Sequence, residues 1–440
     1  MQLSFLLLLT ACGEPEPQGD PAIGREVLLY GDYVGAGVPK DVWFDLLPPI
    51  ESNVLEREGE SAGIPASFNL FTARNGVEVV GGVTCAGCHA APLHGEVILG
   101  LGNHQSDYTT LDLSTFELAG LAVENRYGDD SPEYDAFYPL LRGAEAISPH
   151  IIAPVLGLNT AFSMERAAVA YRDPETGTWR DEPVFDIPAL ALASDVPPWW
   201  HLKKKSKLYY TGAGQGNHTR LVSQVSLVAV DDAEHYAEIE ATMVDLLAYL
   251  RTIEPPAYPD LIDVVAAARG QAVFVDQCSE CHGTYGDDWT YPERIIPLED
   301  IGTDPAYALG FTTGGFTPWL QESFLAIGRD AADFDPEEGY IAPPLDGIWA
   351  TAPYLHNGSI PDMAGILDSS ARPRVFRRSF DSRTYDAEAM GWPYEVVTAD
   401  DSDPTIYNTA LPSLGNGGHT YGDVLSNAQR ADLMEYLKTL

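Results

Sequence analysis

The sequence predicts a mainly α protein of two domains, with long irregular loops and minor β-structure. Three observations support this prediction. Segments 233–253 and 426–440 each place apolar residues on one helical face. The connections between helices are rich in glycine and proline, of which the 440 residues contain 40 and 33. The pattern C-x-x-C-H occurs twice, far apart in the chain, and an apolar fraction of 45% is sufficient for buried cores.

The N-terminus predicts export and a lipid anchor. Residues 3–9 form an apolar run that is too short to span a bilayer, which requires about 20 residues, and that resembles the core of a secretory signal. The tetrapeptide Leu9-Thr10-Ala11-Cys12 resembles the lipobox of bacterial lipoproteins, in which the cysteine is acylated. We therefore expect a signal peptide over 1–11, lipidation of Cys12, and a linker over 12–30. These features predict a protein of the periplasm or cell surface that is anchored to a bacterial membrane by lipid.

The charge balance restricts the partners of the chain. Lys and Arg number 25 against 65 Asp and Glu, which gives a formal net charge of −40 at pH 7. Nucleic acid and anionic lipid surfaces repel such a chain. We expect no nucleic acid partner, and membrane contact only through the anchor.

Four of the five cysteines lie in the two C-x-x-C-H motifs, Cys85-Ala86-Gly87-Cys88-His89 and Cys278-Ser279-Glu280-Cys281-His282. This is the attachment signature of c-type haem: two thiols three residues apart reach the two vinyl groups of one porphyrin, and the adjacent imidazole ligates the iron. A zinc site would use paired C-x-x-C motifs, a redox dithiol would lie near a βαβ unit, and structural disulfides would not require the adjacent histidine. The sequence therefore predicts two covalently bound c-type haems, with His89 and His282 as iron ligands.

The helices around the motifs suggest one haem domain over 31–256 and a second over 257–440. A helix-compatible segment leads into the second motif, and the C-terminal helix, with Ser426 as its N-cap, closes that half. This order resembles the class I cytochrome c arrangement. The helix over 233–253 is the corresponding closing helix of the first half. We see no internal repeat other than the two motifs.

Each iron has a sixth position that a protein ligand fills or leaves open. His419 lies in a glycine-rich loop over 414–422, where the backbone can approach a flat cofactor closely. We predict that His419 is an axial ligand; the alternative is a histidine of a surface loop. Met434 lies in the apolar stripe of the last helix and is expected in the core.

Three segments resemble a known family. They are YIAPPLDGIWATAPYLHNGSIP at 340–361, PPWWHLKKK at 197–205 and GHTYG at 418–422. The first resembles the long C-terminal motif of the bacterial dihaem cytochrome c peroxidase superfamily. All three resemble most, in sequence, the rubber-oxygenase-like dihaem c-type cytochrome branch of that superfamily.

The resemblance implies that His89 and His282 are proximal ligands and that His419 is the distal ligand of the second haem. It also implies an exchangeable site at the first haem for peroxide or dioxygen, and it implies that Tyr354 and His356 line the second haem. From the residues alone, His356 could equally belong to a packed, hydrogen-bonded turn.

Trp199 and Trp200 are candidates for carrying electrons between the haems, with a place in the apolar core as the alternative reading. The functional hypothesis is a redox enzyme, peroxidase- or oxygenase-like, in which the second haem relays electrons. The alternative is a non-catalytic electron-transfer cytochrome with both irons six-coordinate. The expected partners are a redox protein or small electron donor, and peroxide, dioxygen or an apolar substrate. The sequence leaves open a calcium ion between the domains.

Overall fold

The computed structural model describes residues 19–110, 113–192, 194–328 and 330–440. Cys12 and the predicted signal peptide lie outside the described residues, so the lipidation of Cys12 stays a prediction. About 41% of the structure is helical and the sheets are small, as the predicted mainly α class requires.

The described chain forms fifteen α-helices, most of them short. They are α1 (Pro21–Tyr30), α2 (Lys40–Leu46), α3 (Cys85–His89), α4 (Ser114–Tyr127), α5 (Pro132–Ile147), α6 (Ala161–Ala170), α7 (His218–Val222), α8 (Ala233–Leu250), α9 (Val264–Gln277), α10 (Ser279–His282), α11 (Leu298–Ile301), α12 (Ala306–Thr312), α13 (Phe316–Glu322), α14 (Met363–Leu367) and α15 (Asn427–Leu437). Short 3₁₀-helices connect several of them, and the two longest are Trp199–Lys204 and Ser223–Val228.

The strands form five small sheets within the described residues. They are β1 (Val38–Pro39), β2 (Phe68–Thr72), β3 (Glu78–Gly82), β4 (Ala90–Leu93), β5 (Glu96–Leu99), β6 (Gly214–Gly216), β7 (Ile295–Pro297), β8 (Ala332–Phe334), β9 (Gly339–Ile341), β10 (Val375–Arg378), β11 (Tyr394–Val396) and β12 (Tyr407–Asn408). Their orders are β1-β3-β2, β11-β10-β12, β4-β5, β6-β8 and β7-β9, with antiparallel pairing throughout.

Helices α9 and α15 flank the second motif and cross closely. A Cβ added at Gly270 of α9 would lie 2.0 Å from the Asp432 carbonyl oxygen and 2.9 Å from Cβ of Tyr436, so only glycine fits at this crossing. The predicted N-cap of α15 is confirmed. The Ser426 hydroxyl accepts from the Gln429 backbone N–H at 3.3 Å, and the Gln429 side chain accepts from the Ser426 N–H at 3.0 Å.

Helices α1 and α8 form a second crossing of the same kind. A Cβ at Gly24 of α1 would lie 1.9 Å from the Asp245 carbonyl oxygen and 2.8 Å from Cβ of Tyr249. The contact therefore repeats the glycine, aspartate and tyrosine of the α9–α15 crossing. The expectation of no repeat beyond the two motifs was wrong, because residues 245–253 (DLLAYLRTI) and 432–440 (DLMEYLKTL) are identical at five of nine positions.

The apolar segment 221–228 is helical, in α7 and the following 3₁₀-helix. His235 differs from its sequence reading. It is 4% exposed and packs against Gly35, whereas its position among acidic residues at a helix start predicts a solvated cap. It is nevertheless paired with one of those neighbours, since its Nδ1 lies 3.2 Å from a carboxylate oxygen of Asp231.

The two largest hydrophobic clusters both draw residues from each side of position 256. The first extends from Leu28 to Tyr340, and the second joins Leu93 and Trp200 to the helices around the second motif. The domain boundary at 256 stays a prediction. Within the described residues no helix has the length and apolarity needed to cross a bilayer.

Candidate haem sites

The second motif begins where α9 ends. The Cys278 backbone N–H still donates to the Phe274 carbonyl of α9 at 2.8 Å, and the one-turn α10 follows directly. His282 Nδ1 donates to the Pro343 carbonyl at 2.8 Å. Because Nδ1 carries that proton, Nε2 is the nitrogen with a free lone pair and can ligate a metal.

A cavity of about 620 Å³ opens beside this motif, within the size range of cofactor sites. Both thiols of the motif, His282 and His419 line it. The remaining wall is mainly apolar and includes Phe274, Leu345, Ile348, Met363, Leu433 and Leu437. An apolar cavity that brings two thiols and two imidazoles together has the chemistry that a covalently attached porphyrin requires.

His419 faces His282 across this cavity. Their ring centroids are 6.3 Å apart, with an angle of 62° between the ring planes. Two imidazoles bound at about 2 Å on opposite sides of one metal ion have ring centres roughly 6 Å apart, so the spacing fits a single iron between them. Burial lowers the pKa of His419 to about 4 and also lowers the pKa of His282, which leaves both rings neutral and able to ligate.

The first motif forms the single turn α3, two residues after the end of β3. The Cys88 sulfur accepts from Asn159 Nδ2 at 3.4 Å, and the His89 ring stacks on Trp199 with centroids 5.0 Å apart. Burial lowers the pKa of His89 to about 3, so this imidazole is also neutral. None of Cys85, Cys88 and His89 lines the 620 Å³ cavity, so the structure separates the two motifs into two sites.

None of the four motif cysteines forms a disulfide within the described residues. Burial raises the pKa of Cys85 to about 12 and that of Cys278 to about 11. Among the described residues no group of three or more His, Cys, Asp or Glu side chains is arranged to hold a metal ion, and the calcium ion stays an open question.

The segment 195–201 runs between the two sites. Trp199 contacts His89 of the first motif, whereas Pro197, Pro198 and His201 line the cavity of the second. Trp200 is fully buried, and its Nε1–H donates to the Asp346 carbonyl at 2.7 Å. Trp199 is thus the tryptophan placed between the sites, and Trp200 packs in the second hydrophobic cluster.

Tyr354 and His356 both line the cavity of the second motif. The Tyr354 hydroxyl lies 3.0 Å from the Ile348 carbonyl and 2.8 Å from that of Met390. His356 stacks on Tyr340 with centroids 4.1 Å apart, and burial lowers its pKa to about 3. Both residues therefore face the cavity, as the family resemblance implies, and both also belong to a packed, hydrogen-bonded wall.

Comparison with known proteins supports a cytochrome. Residues 339–377 match the family described as RoxA-like, cytochrome c-like. This stretch supplies one wall of the cavity, including Pro343, Tyr354 and His356. The match suggests a c-type cytochrome, for which covalently bound c-type haem is implied, and it supports the resemblance to the rubber-oxygenase-like branch. The wider dihaem peroxidase superfamily and the number of haems stay predictions.

Two proteins of Sinorhizobium fredii are similar to larger parts of the chain. The uncharacterized protein y4iM is 29% identical in an alignment of 298 residues that covers 58% of this chain and 66% of that protein. The uncharacterized protein y4iJ is 30% identical in an alignment of 253 residues that covers 43% of this chain and 41% of that protein. The chain thus spans just under two thirds of one relative and under half of the other.

Sequence reasoning missed a half-buried acid, Glu165. This residue lies in α6, one turn beyond Ala161. Its Oε1 accepts from the Tyr209 hydroxyl at 2.9 Å, and burial raises its pKa to about 8. The available signal was the single carboxylate of α6, whose other residues are apolar apart from Ser163 and Arg166.

Proposed function

We propose that this chain is an exported dihaem c-type cytochrome that acts as a redox enzyme, peroxidase- or oxygenase-like. A haem held by Cys85, Cys88 and His89 would bind peroxide or dioxygen and supply the oxidising chemistry. Cys278, Cys281, His282 and His419 would hold the second haem as a six-coordinate electron relay.

The asymmetry between the two motifs carries this proposal. His282 has an opposing imidazole at the spacing of a shared metal ion. In the described residues no second imidazole makes a ring contact with His89, whose ring partner is Trp199. This difference supports one site closed by a protein ligand and one that is free to accept a small molecule.

Neighbouring side chains suit the two roles. Trp199 stacks on His89 of the first motif, and its chain neighbour Pro198 lines the cavity of the second. Its aromatic ring would shorten the distance that an electron crosses between the two haems. Glu165 accepts a hydrogen bond from Tyr209, and its raised pKa of about 8 gives it the protonation state of a proton donor at neutral pH. Pro343 keeps the proton of His282 on Nδ1.

The absorption and electron paramagnetic resonance spectra of the purified holoprotein test this assignment. We expect one low-spin haem and one high-spin or exchangeable haem that binds cyanide and carbon monoxide readily. Replacement of Cys85 and Cys88 by alanine should remove the exchangeable haem and leave the low-spin haem in place. Two low-spin haems that exchange no ligand would contradict the enzyme and indicate the electron carrier.

Turnover is tested in two parallel assays. One measures peroxide consumption with a panel of reduced cytochromes and small donors, and the other measures oxygen uptake with apolar substrates. Trp199→Leu should slow electron transfer between the haems while both haems stay attached. The matched control is Trp319→Leu, because Trp319 is another buried tryptophan that contacts neither motif and donates to the Arg172 carbonyl.

We further propose the periplasm or cell surface as the location, with Cys12 as the lipid attachment site. The support is the sequence of residues 3–12 alone. Cys12→Ala should move the protein from the membrane fraction to the soluble fraction, which fractionation of the expressing cells measures. Retention of the variant in the membrane fraction would contradict the anchor.

A further inference from the structure

One arginine from outside the glycine-rich loop holds the backbone around His419. Arg372 Nε donates to the Gly365 carbonyl at 2.7 Å. Its Nη1 donates to the carbonyls of Asn416 and Gly418 at 2.8 and 2.6 Å, and its Nη2 donates to that of His419 at 3.0 Å. A single guanidinium therefore ties α14 to three carbonyls of the loop.

The loop needs such support because its backbone conformation is unfavourable. His419 has a φ of +43°, in the left-handed region that residues with a Cβ rarely adopt. Gly418 has a φ of +71°, and a Cβ there would lie 2.3 Å from the Ile301 carbonyl oxygen. The His419 N–H donates to the Ile301 carbonyl at 2.8 Å. Strained backbone of this kind persists only where the surrounding structure fixes it.

The chemistry of arginine suits this role. Its planar guanidinium presents five N–H donors in a rigid fork, so it can bind several carbonyls that lie in different directions at once. Lysine has three donors on one flexible nitrogen and cannot span the same set. In the described part of the chain Arg372 forms no ion pair within 4 Å. Its hydrogen-bond partners are backbone carbonyls, and these bonds fix where the carbonyls lie.

We propose that Arg372 is the positioning residue of the second haem's distal ligand, and that it keeps the imidazole of His419 facing His282. This inference rests on the proposed ligation by His419. It adds a residue 47 positions upstream, on a different segment, whose loss would weaken the iron–imidazole bond without removing the imidazole.

The test compares four variants of the haem-loaded protein by absorption and electron paramagnetic resonance spectroscopy. They are Arg372→Gln, Arg372→Lys, His419→Ala and the control Arg374→Gln. Arg374 is exposed two residues away and lines the same surface depression as Arg372, and its guanidinium has no hydrogen bond or ion pair to the described residues. Haem staining and circular dichroism show whether each variant folds and retains both haems.

For Arg372→Gln we expect a high-spin fraction at the second haem and cyanide exchange roughly tenfold faster or more, which corresponds to the loss of about one charged hydrogen bond. Arg372→Lys should lie between this variant and the wild type, and Arg374→Gln should match the wild type. If His419→Ala changes the spin state while both Arg372 variants keep wild-type spectra and exchange rates, the inference is overturned and the ligation stands. If His419→Ala leaves the spectra unchanged, the ligation and the inference both fail.

Discussion

At the scale of single residues, burial sets the protonation states that ligation needs. The pKa values of His89 and His419 fall to about 3 and about 4, because an imidazolium loses its hydration in an apolar interior. Neutral imidazoles keep the lone pair that an iron ligand requires. The same desolvation raises the pKa of a carboxylic acid, because the ionised form is the one that loses hydration. It raises the pKa of Glu165 to about 8.

Glu165 therefore predicts a specific dependence of stability on pH. Between its ordinary pKa of 4.5 and about 8, the folded protein binds a proton that the unfolded chain has released. The free energy of unfolding should consequently decrease as the pH rises through this window, and the contribution of Glu165 should be constant above it. Glu165→Gln cannot ionise, so its unfolding free energy should fall less steeply between about pH 5 and pH 8. Urea unfolding of the haem-loaded protein at several pH values measures the two slopes.

The control for this experiment is Glu117→Gln, which replaces an exposed carboxylate of α4. It should keep the wild-type slope. Equal slopes for the Glu165 variant and the wild type would show that the buried carboxyl ionises normally.

At the scale of elements, two helix pairs share one mode of contact. In α1–α8 and in α9–α15 a glycine of the first helix lies against the backbone carbonyl of an aspartate and the Cβ of a tyrosine four residues later. The absence of a side chain at the glycine lets the helix axes approach closely. Because α9 continues directly into Cys278, the position of its crossing with α15 also determines where the second motif lies.

The α9–α15 crossing is tested by Gly270→Ala. The added Cβ would lie 2.0 Å from the Asp432 carbonyl oxygen, so the helices must separate. Although alanine favours helix by about 1 kcal/mol over glycine, we expect a net loss of about 1–3 kcal/mol in unfolding free energy. Gly24→Ala should behave in the same way at the α1–α8 crossing. Thermal and urea unfolding measure both effects.

An exposed position of α9 provides the comparison. Ala272→Gly alters helix propensity without touching α15, and it should cost about 1 kcal/mol. A stabilised Gly270→Ala variant would mean that the two helices are not in close contact at this position.

At the scale of the whole molecule, the acidic balance predicts the charge that a redox partner of the proposed enzyme would carry. The formal charge of −40 attracts basic proteins over distances up to a Debye length, about 8 Å at physiological salt. Many of the basic side chains are already paired with carboxylates, such as Lys204 with Asp346 and Arg220 with Glu240. The remaining field is therefore negative, and a cationic electron donor should associate fastest.

Stopped-flow reduction of the protein by a basic cytochrome tests this expectation. The second-order rate constant should fall by roughly tenfold or more between low salt and about 0.5 M salt, since added ions screen the attraction. An acidic cytochrome should show the opposite trend, and a small neutral reductant should show none. A basic donor whose rate does not depend on salt would contradict electrostatic steering.

The sequence by itself determined the two C-x-x-C-H motifs, the C-terminal helix with its Ser426 cap, the mainly α class and the candidacy of His419. These features depend on local spacing and on short-range hydrogen bonds, which a sequence displays directly. Tertiary structure alone decided the opposition of His282 and His419, the contact of Trp199 with His89, the burial of Glu165 and the hold of Arg372 on the 416–419 loop. Each of these joins residues from distant segments, and their distances depend on how the helices and loops pack around the cavity.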